Sequence, residues 1–510
     1  MNTSASDENP AVPARPDESA EQAMRDAARS FVGAAFDQLR EVKVIPTPIY
    51  HRFIHVGRDY FGDDVRGPEL YALERAIEEA FPERFADDVH LRDREFASSY
   101  AFSFLEACVA RCGGREQRFD SEAAGVTESI DELIAVLRSE SSEVVCCRFV
   151  GHLTTTSGEP VRIGDVEVVP EMDERAYREL QHRIAMEIPS TWMAFNRGDP
   201  FVFEQPHALL IARQTSTGDP YALGHVLSGS LERFQLIARL LTAGTVHSYF
   251  EVFGPTTLVS RVTAVMETFR ESGLGMSGPI VRRTVRLDGS EGPAFEALGA
   301  LIDAADVERA GMAATSFDVA INKFRSALRP GPESEQLVDL ATALEAILAS
   351  GDRDNEGLTL RLRNRTAALL ATERDSGKDL FDDVGELYKL RSKLVHGGQI
   401  KEAELRRIVG RVSTVSPETV ERGMGVAVGF AVDRMRDLVR RAILARLCLA
   451  SEPDPVWPFT RSTPVDAMLS DDAARARWRE RWHGRLAELG VAAAAQPPRS
   501  AVDFLSPEDR

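Results

Sequence analysis

Long apolar runs are missing from this 510-residue chain. The longest candidate, Val426 to Val432, is cut short by Asp433 and Arg434, and roughly 18 apolar residues are needed to span a bilayer as a helix. No membrane partner is expected. The first residues (MNTSASDENPAVPARPDESAEQ) lack the basic end and apolar stretch of an export signal. Residues 1–25 therefore read as a disordered tail, and a cytoplasmic location is expected. Cysteine is scarce: Cys108 and Cys112 lie one helical turn apart, Cys146 and Cys147 are adjacent, and Cys448 is alone. No CxxC pair or Cys/His cluster has zinc spacing, so buried reduced thiols are expected and no metal or cofactor is implied. A Walker A loop, a dinucleotide glycine loop, an HExxH helix and a nucleophile elbow are also missing, which removes the commonest nucleotide-dependent and hydrolytic chemistries.

What is present is charge, and it is unevenly placed. The net charge of −19 argues against a general nucleic-acid binder. Residues 311–450, however, hold 22 Lys and Arg against 20 Asp and Glu, leaving 39 against 60 for the rest. Five of the six lysines (Lys323, Lys378, Lys389, Lys393 and Lys401) fall in that block. An acidic body thus carries one segment that phosphate does not repel.

At this length two or three domains are expected. The fold class read from the pattern is mainly α with an α+β N-terminal region and a C-terminal antiparallel helical bundle. Residues 26–140 are mainly helical, with apolar residues at helix spacing in AARSFVGAAFDQL, ELYALERAIEEAF and REFASSYAFSFLEACVARC. The intervening VKVIPTPIYHRFIHV, with two prolines, reads as a loop or edge strand. Residues 141–310 form an α+β region: VVCCRFVGHLTTT and VRIGDVEVVPE as two strands around the SGEP turn, and DERAYRELQHRIAME as a helix. HALLIAR is a strand, YALGHVLSGSLERFQLIARLLTAG a helix ending on Gly244, and TVHSYFEVF and GPIVRRTVRLD are strand-like. Residues 311–450 form the bundle, ending in one long helix from about Pro417 to Ala450. Residues 451–510 are an extension with one helix and a frayed tail.

The segment that carries chemistry is GELYKLRSKLVHGG, residues 385–398. Leu387, Leu390 and Leu394 make a core-facing stripe, Arg391 lies between them, and His396 stands at the helix end with Gly397 placed to cap it. An arginine can hold a phosphate bidentately and stabilise the charge that builds on it. A histidine can take the proton of a 2′-hydroxyl or give one to a leaving 5′-oxygen. That is what metal-free RNA cleavage needs. The spacing alone carries little weight, since ten histidines among 55 arginines yield about one such pair by chance. The plainer reading is that Arg391 pairs with Glu345 or Glu386 and His396 only bonds the helix end.

The setting adds more. Leu344-Glu345-Ala346-Ile347-Leu348, then Arg365 to Leu370, then Tyr388 through Gly397 resemble, in order and spacing, the Apea-like branch of the HEPN superfamily. The resemblance covers roughly residues 330–450. It implies a HEPN-type bundle that dimerises with its Arg/His pairs at the interface. It also implies metal-independent endoribonuclease activity, often in prokaryotic phage-defence or toxin-like systems. On that basis Arg391 and His396 are the catalytic residues, Ser392, Lys393 and Glu345 support them, and Arg361 and Arg365 are candidates for RNA contact. Ser392 stands where many catalytic members carry Asn, Asp or His. Glu345, mid-stripe in an apolar helix, needs a partner there; Arg391 or Arg365 would serve. RNA, possibly tRNA, is the expected substrate, with a phage or protein trigger at the N-terminal region. The alternative is a non-catalytic binding and dimerisation module that presents an N-terminal sensing domain.

Five residues of helix turn about 500°, so Arg391 and His396 project roughly 140° apart. A homodimer through the helices around Arg391 and Arg434–Arg446 would bring two pairs to one cleft. Last, RARWRERWHGR (475–485) interleaves Trp478 and Trp482 with five arginines. This is either a base-stacking surface or, more plainly, a terminal helix anchored by its tryptophans.

Overall fold

The computed structural model describes residues 18–41, 67–82, 100–105, 107–108, 120–170, 207–217, 220–255, 260–263, 283–307, 315–328, 332–349, 357–395, 400–450 and 470–498. The expected loop at 42–56 and helix at 173–187 lie outside these residues.

Helix α1 (Glu18–Glu41) begins inside the stretch read as a disordered tail, and Met24 is already fully buried. The reason is periodicity: Met24, Ala28, Phe31, Val32, Ala35 and Phe36 form one apolar stripe. That stripe packs on α2 (Pro68–Ala80) and α3 (Ala124–Arg138). Arg25 reaches across to Asp131 at 2.6 Å.

The sheet region differs from the two-strand hairpin expected at 143–171. Four strands occupy that segment: β1 (Ser142–Gly151), β2 (Leu153–Thr155), β3 (Val161–Ile163) and β4 (Val166–Pro170). The chain breaks at His152, which sits at φ 58°, and the SGEP turn leads from one sheet to another. With β5 (His207–Ser216), β6 (His247–Pro255) and β7 (Ser260–Thr263), the main sheet has the order β3-β4-β5-β1-β6-β7, all antiparallel. β2 pairs in parallel with β8 (Val285–Leu287). Helix α4 (Pro220–Thr242) packs on the sheet. Gly224 permits this approach, because a Cβ there would come within 2.2 Å of the Phe253 ring. Gly244, expected to stop α4, serves a different purpose. Ala243 takes the left-handed turn at φ 58°, and Gly244 leaves room for Val285, whose Cγ2 would lie 2.0 Å from a Cβ.

The remaining helices are α5 (Gly292–Val307), α6 (Ser316–Ser326), α7 (Glu333–Leu348), α8 (Leu358–Leu370), α9 (Gly377–Val395), α10 (Glu402–Val409), α11 (Pro417–Arg422), α12 (Met424–Ala450) and α13 (Asp472–Glu488). Short connections between packed neighbours, as between α8 and α9, reverse the chain direction. The single helix expected from Pro417 is divided at Gly423, whose φ of 144° no L side chain adopts easily.

Helix α12 is the centre. Every residue from 431 to 449 is buried, and the helix touches α4, α5, α6, α7, α8, α9, α10, α11 and α13. It is not apolar all round. Arg434 donates to Asp383 (2.8 Å) and to both oxygens of Asp375 (2.9 and 2.7 Å). Arg441 bonds Asp375, Asp437 and the Leu370 carbonyl. Arg440 bonds Asp437 and the carbonyls of Leu240 and Ala494. Asp433 receives Arg436 from its own helix and Arg283 from the strand region. Charges taken out of water this way need partners on every side, and this lattice ties the sheet region, the bundle and the C-terminal extension into one body. It also corrects one half of the expected dimer surface, the helix at Arg434–Arg446: Arg434, Arg436, Arg440, Arg441 and Arg446 are buried within the chain. No described helix is long and apolar enough to cross a membrane.

Candidate active site on helix α9

Helix α9 is fixed along its length before it presents Arg391. Ser376 caps its start, accepting from the Asp379 amide at 3.1 Å. Asp375, just ahead of it, and Asp383, one face along, are both held by Arg434. Asp383 also accepts from the Ser413 amide (2.7 Å) and hydroxyl (2.6 Å). Burial pushes the Asp383 carboxyl up from its ordinary value, and Arg434 and Ser413 oppose that. From α8, Arg363 lays its guanidinium 3.7 Å from the Phe381 ring centroid and donates to the Phe381 carbonyl at 2.9 Å. Gly385 makes room for it, since a Cβ there would meet Arg363 Nε at 2.9 Å. Tyr388, buried, donates its hydroxyl to the Ala341 carbonyl of α7 at 3.1 Å.

Arg391 follows one turn later and is half-buried. Among the described residues it forms no ion pair and no hydrogen bond, and its Nε is sealed from water without an acceptor. Glu345 does not pair with it. Instead Glu345 sits against Tyr388: burial raises the Tyr388 hydroxyl well above its usual range, Glu345 adds to this, and Arg391 works against it. Glu386 is engaged elsewhere, by Lys389 at 2.7 Å and Arg411 at 3.7 Å. The structure thus brings Glu345, Tyr388 and Arg391 together, with the guanidinium left over. Comparisons with protein-family models, characterised proteins and solved structures gave no match.

The other expected residues fall out differently. His396 and Gly397 lie outside the described residues; α9 is bounded at Val395. Ser392 and Lys393 are exposed, and Lys393 reaches Glu404 of α10 at 3.2 Å. Arg365, a candidate for RNA contact, is 2% exposed and donates to the Leu348 carbonyl at 2.7 Å. It closes the end of α7 and is not presented to a ligand. Arg361 is half-buried and has partners of its own. Tyr388 was not among the expected site residues; its i−3 spacing from Arg391 puts it on the neighbouring turn. Trp478 and Trp482 are buried, and the Trp482 indole donates to the Leu369 carbonyl at 3.2 Å. They anchor α13 and do not form a stacking surface.

Proposed function

We propose that the chain is a metal-independent endoribonuclease of the HEPN type, with Arg391 and His396 as its catalytic pair. The observation that carries this reading is the uncommitted guanidinium of Arg391 on a helix whose neighbouring charges are all engaged. A half-buried cation without a partner is a cost in the free protein, and a phosphate oxygen supplies the missing acceptor. In this reading Arg391 holds the scissile phosphate and stabilises its added charge. His396 moves the proton of the 2′-hydroxyl or of the leaving 5′-oxygen. Glu345 and Arg391 both lie close enough to Tyr388 for their charges to be felt there. A second copy of the chain supplies the second histidine that separate acid and base roles need. The biological setting suggested by the resemblance is a phage-defence or toxin-like effector acting in the cytoplasm, with residues 26–310 receiving the trigger.

The test is cleavage of total tRNA and rRNA by the purified chain in EDTA. Products ending in 2′,3′-cyclic phosphate are expected, with activity abolished in both Arg391→Ala and His396→Ala. A strict requirement for Mg²⁺, or full activity of His396→Ala, overturns the assignment.

A further inference from the structure

The second feature with unused charge lies on α13. A cleft of about 540 Å³ opens between α8 and α13, a volume ordinary for a small-ligand site. Its α8 wall is Asn364, Ala367 and Ala368, with Ala371 just beyond; Gly377, the first residue of α9, lies at one end. The facing wall is Ser470, Arg475 and Arg479. The cleft exists because small side chains stand where larger ones would fill it, while the buried Trp478 and Trp482 hold α13 in place beside it. Arg479 has no carboxylate partner among the described residues; its bond is from Nε to the Arg475 carbonyl at 3.4 Å, which leaves both terminal amino groups free. Arg475 is already engaged, by Asp472 and by a further partner, so Arg479 is the guanidinium with donors to spare. Two guanidiniums facing one cavity in a chain of net charge −19 make a local site for an anion of the other sign.

We propose that this cleft binds a phosphate of a single-stranded RNA, acting as a docking site distinct from Arg391. The proposal rests on the nuclease reading for its choice of ligand. The geometry favours a strand over a small anion because one helix joins the two sites: Gly377 and Arg391 are fourteen residues apart on α9, about 21 Å along its axis. A strand lying along α9 reaches both, whereas a mononucleotide reaches one.

The experiment uses the full chain carrying Arg391→Ala, so that RNA is bound without being cut. It measures the anisotropy of a short labelled oligouridine across a salt series. Adding Arg479→Glu is expected to weaken binding about tenfold and to flatten the log–log salt dependence by about 0.7, the loss of one phosphate contact. Ala368→Phe, which fills the cleft and keeps both arginines, is expected to weaken binding as well, with thermal stability of both variants checked. Arg479→Gln gives a smaller loss in the same direction. Unchanged oligouridine binding in folded Arg479→Glu and Ala368→Phe overturns the cleft assignment. So does displacement by polyglutamate as effective as by unlabelled RNA, or by AMP alone at equal phosphate concentration. These results leave the nuclease reading standing if the chain with Arg391 intact still cuts RNA. A chain that neither cuts nor binds RNA removes both.

Discussion

Helices α9 and α12 both carry arginines on core-facing surfaces, and the protein treats them in opposite ways. On α12 the guanidiniums of Arg434, Arg440 and Arg441 are closed off by Asp375, Asp383, Asp437 and main-chain carbonyls. Arg436 keeps one bare Nε yet still bonds Asp433 at 2.9 Å. On α9, Arg391 bonds nothing among the described residues. The difference separates two uses of buried charge. Where every donor finds an acceptor, the charge fixes the packing of the elements that meet there. Where a donor is left over, as at Arg391, the packing of the described residues makes no use of it, and in the nuclease reading proposed above a phosphate takes that place.

Breaking the α12 lattice should have the largest effect. Arg434→Ala leaves Asp375 and Asp383 buried with one partner fewer each, and a loss of about 3–5 kcal/mol of stability is expected, read from the denaturant midpoint. A loss below about 1 kcal/mol would mean that the lattice carries less of the fold than its geometry indicates. Next comes the anchor of α13: Trp482→Ala should cost about 3–5 kcal/mol locally and expose α13 to proteolysis. Survival of an intact α13 under limited digestion would contradict its role as the anchor.

Arg391→Met sharpens the contrast from the other side. Removing a guanidinium whose Nε lacks an acceptor is expected to leave stability unchanged or raise it by about 1 kcal/mol, while RNA cleavage disappears. Destabilisation comparable to Arg434→Ala would show that Arg391 is a structural residue. The smallest effect concerns His483, beside Trp482 with ring centroids 4.2 Å apart. Burial lowers its pKa, and Arg479 and Arg441 lower it further. The unfolded chain then binds the proton more readily than the folded one. The stabilising contribution is complete above about pH 6.5 and is lost as pH falls through the depressed value. A modest drop in melting temperature over that window is expected, and His483→Gln should remove it. An identical pH profile in that variant would place the titration elsewhere.

Local rules made much of this readable. Apolar spacing marks α1, α7, α8 and α9 because each buries one stripe, and the β-branched run of β1 marks a strand buried on both sides. The positions of Glu345, Tyr388 and Arg391 on facing helices follow from the same periodicity. The errors came where local preference was overruled. The long helix from Pro417 breaks at Gly423, where φ is 144°, and Gly244 is small for the sake of Val285, which is distant in sequence. Arg365 looked like a surface cation because arginine usually is one, and only the end of α7 explains its burial.

By itself the sequence determined a mainly helical chain with a sheet region between its N-terminal helices and its C-terminal bundle, and it determined which segment sets an arginine and a histidine five residues apart. Those properties come from periodicity and spacing, which need no partner. The alternating charges of DRMRDLVRR in α12 could also be read, but not their meaning: the same letters suit a solvated face or a buried lattice. Only the tertiary structure decided between these, by bringing Asp375 and Asp383 to Arg434 while no carboxylate of the described residues pairs with Arg391. Whether Arg434 is committed depends on Asp375 and Asp383, more than fifty residues away, and that is a property of packing.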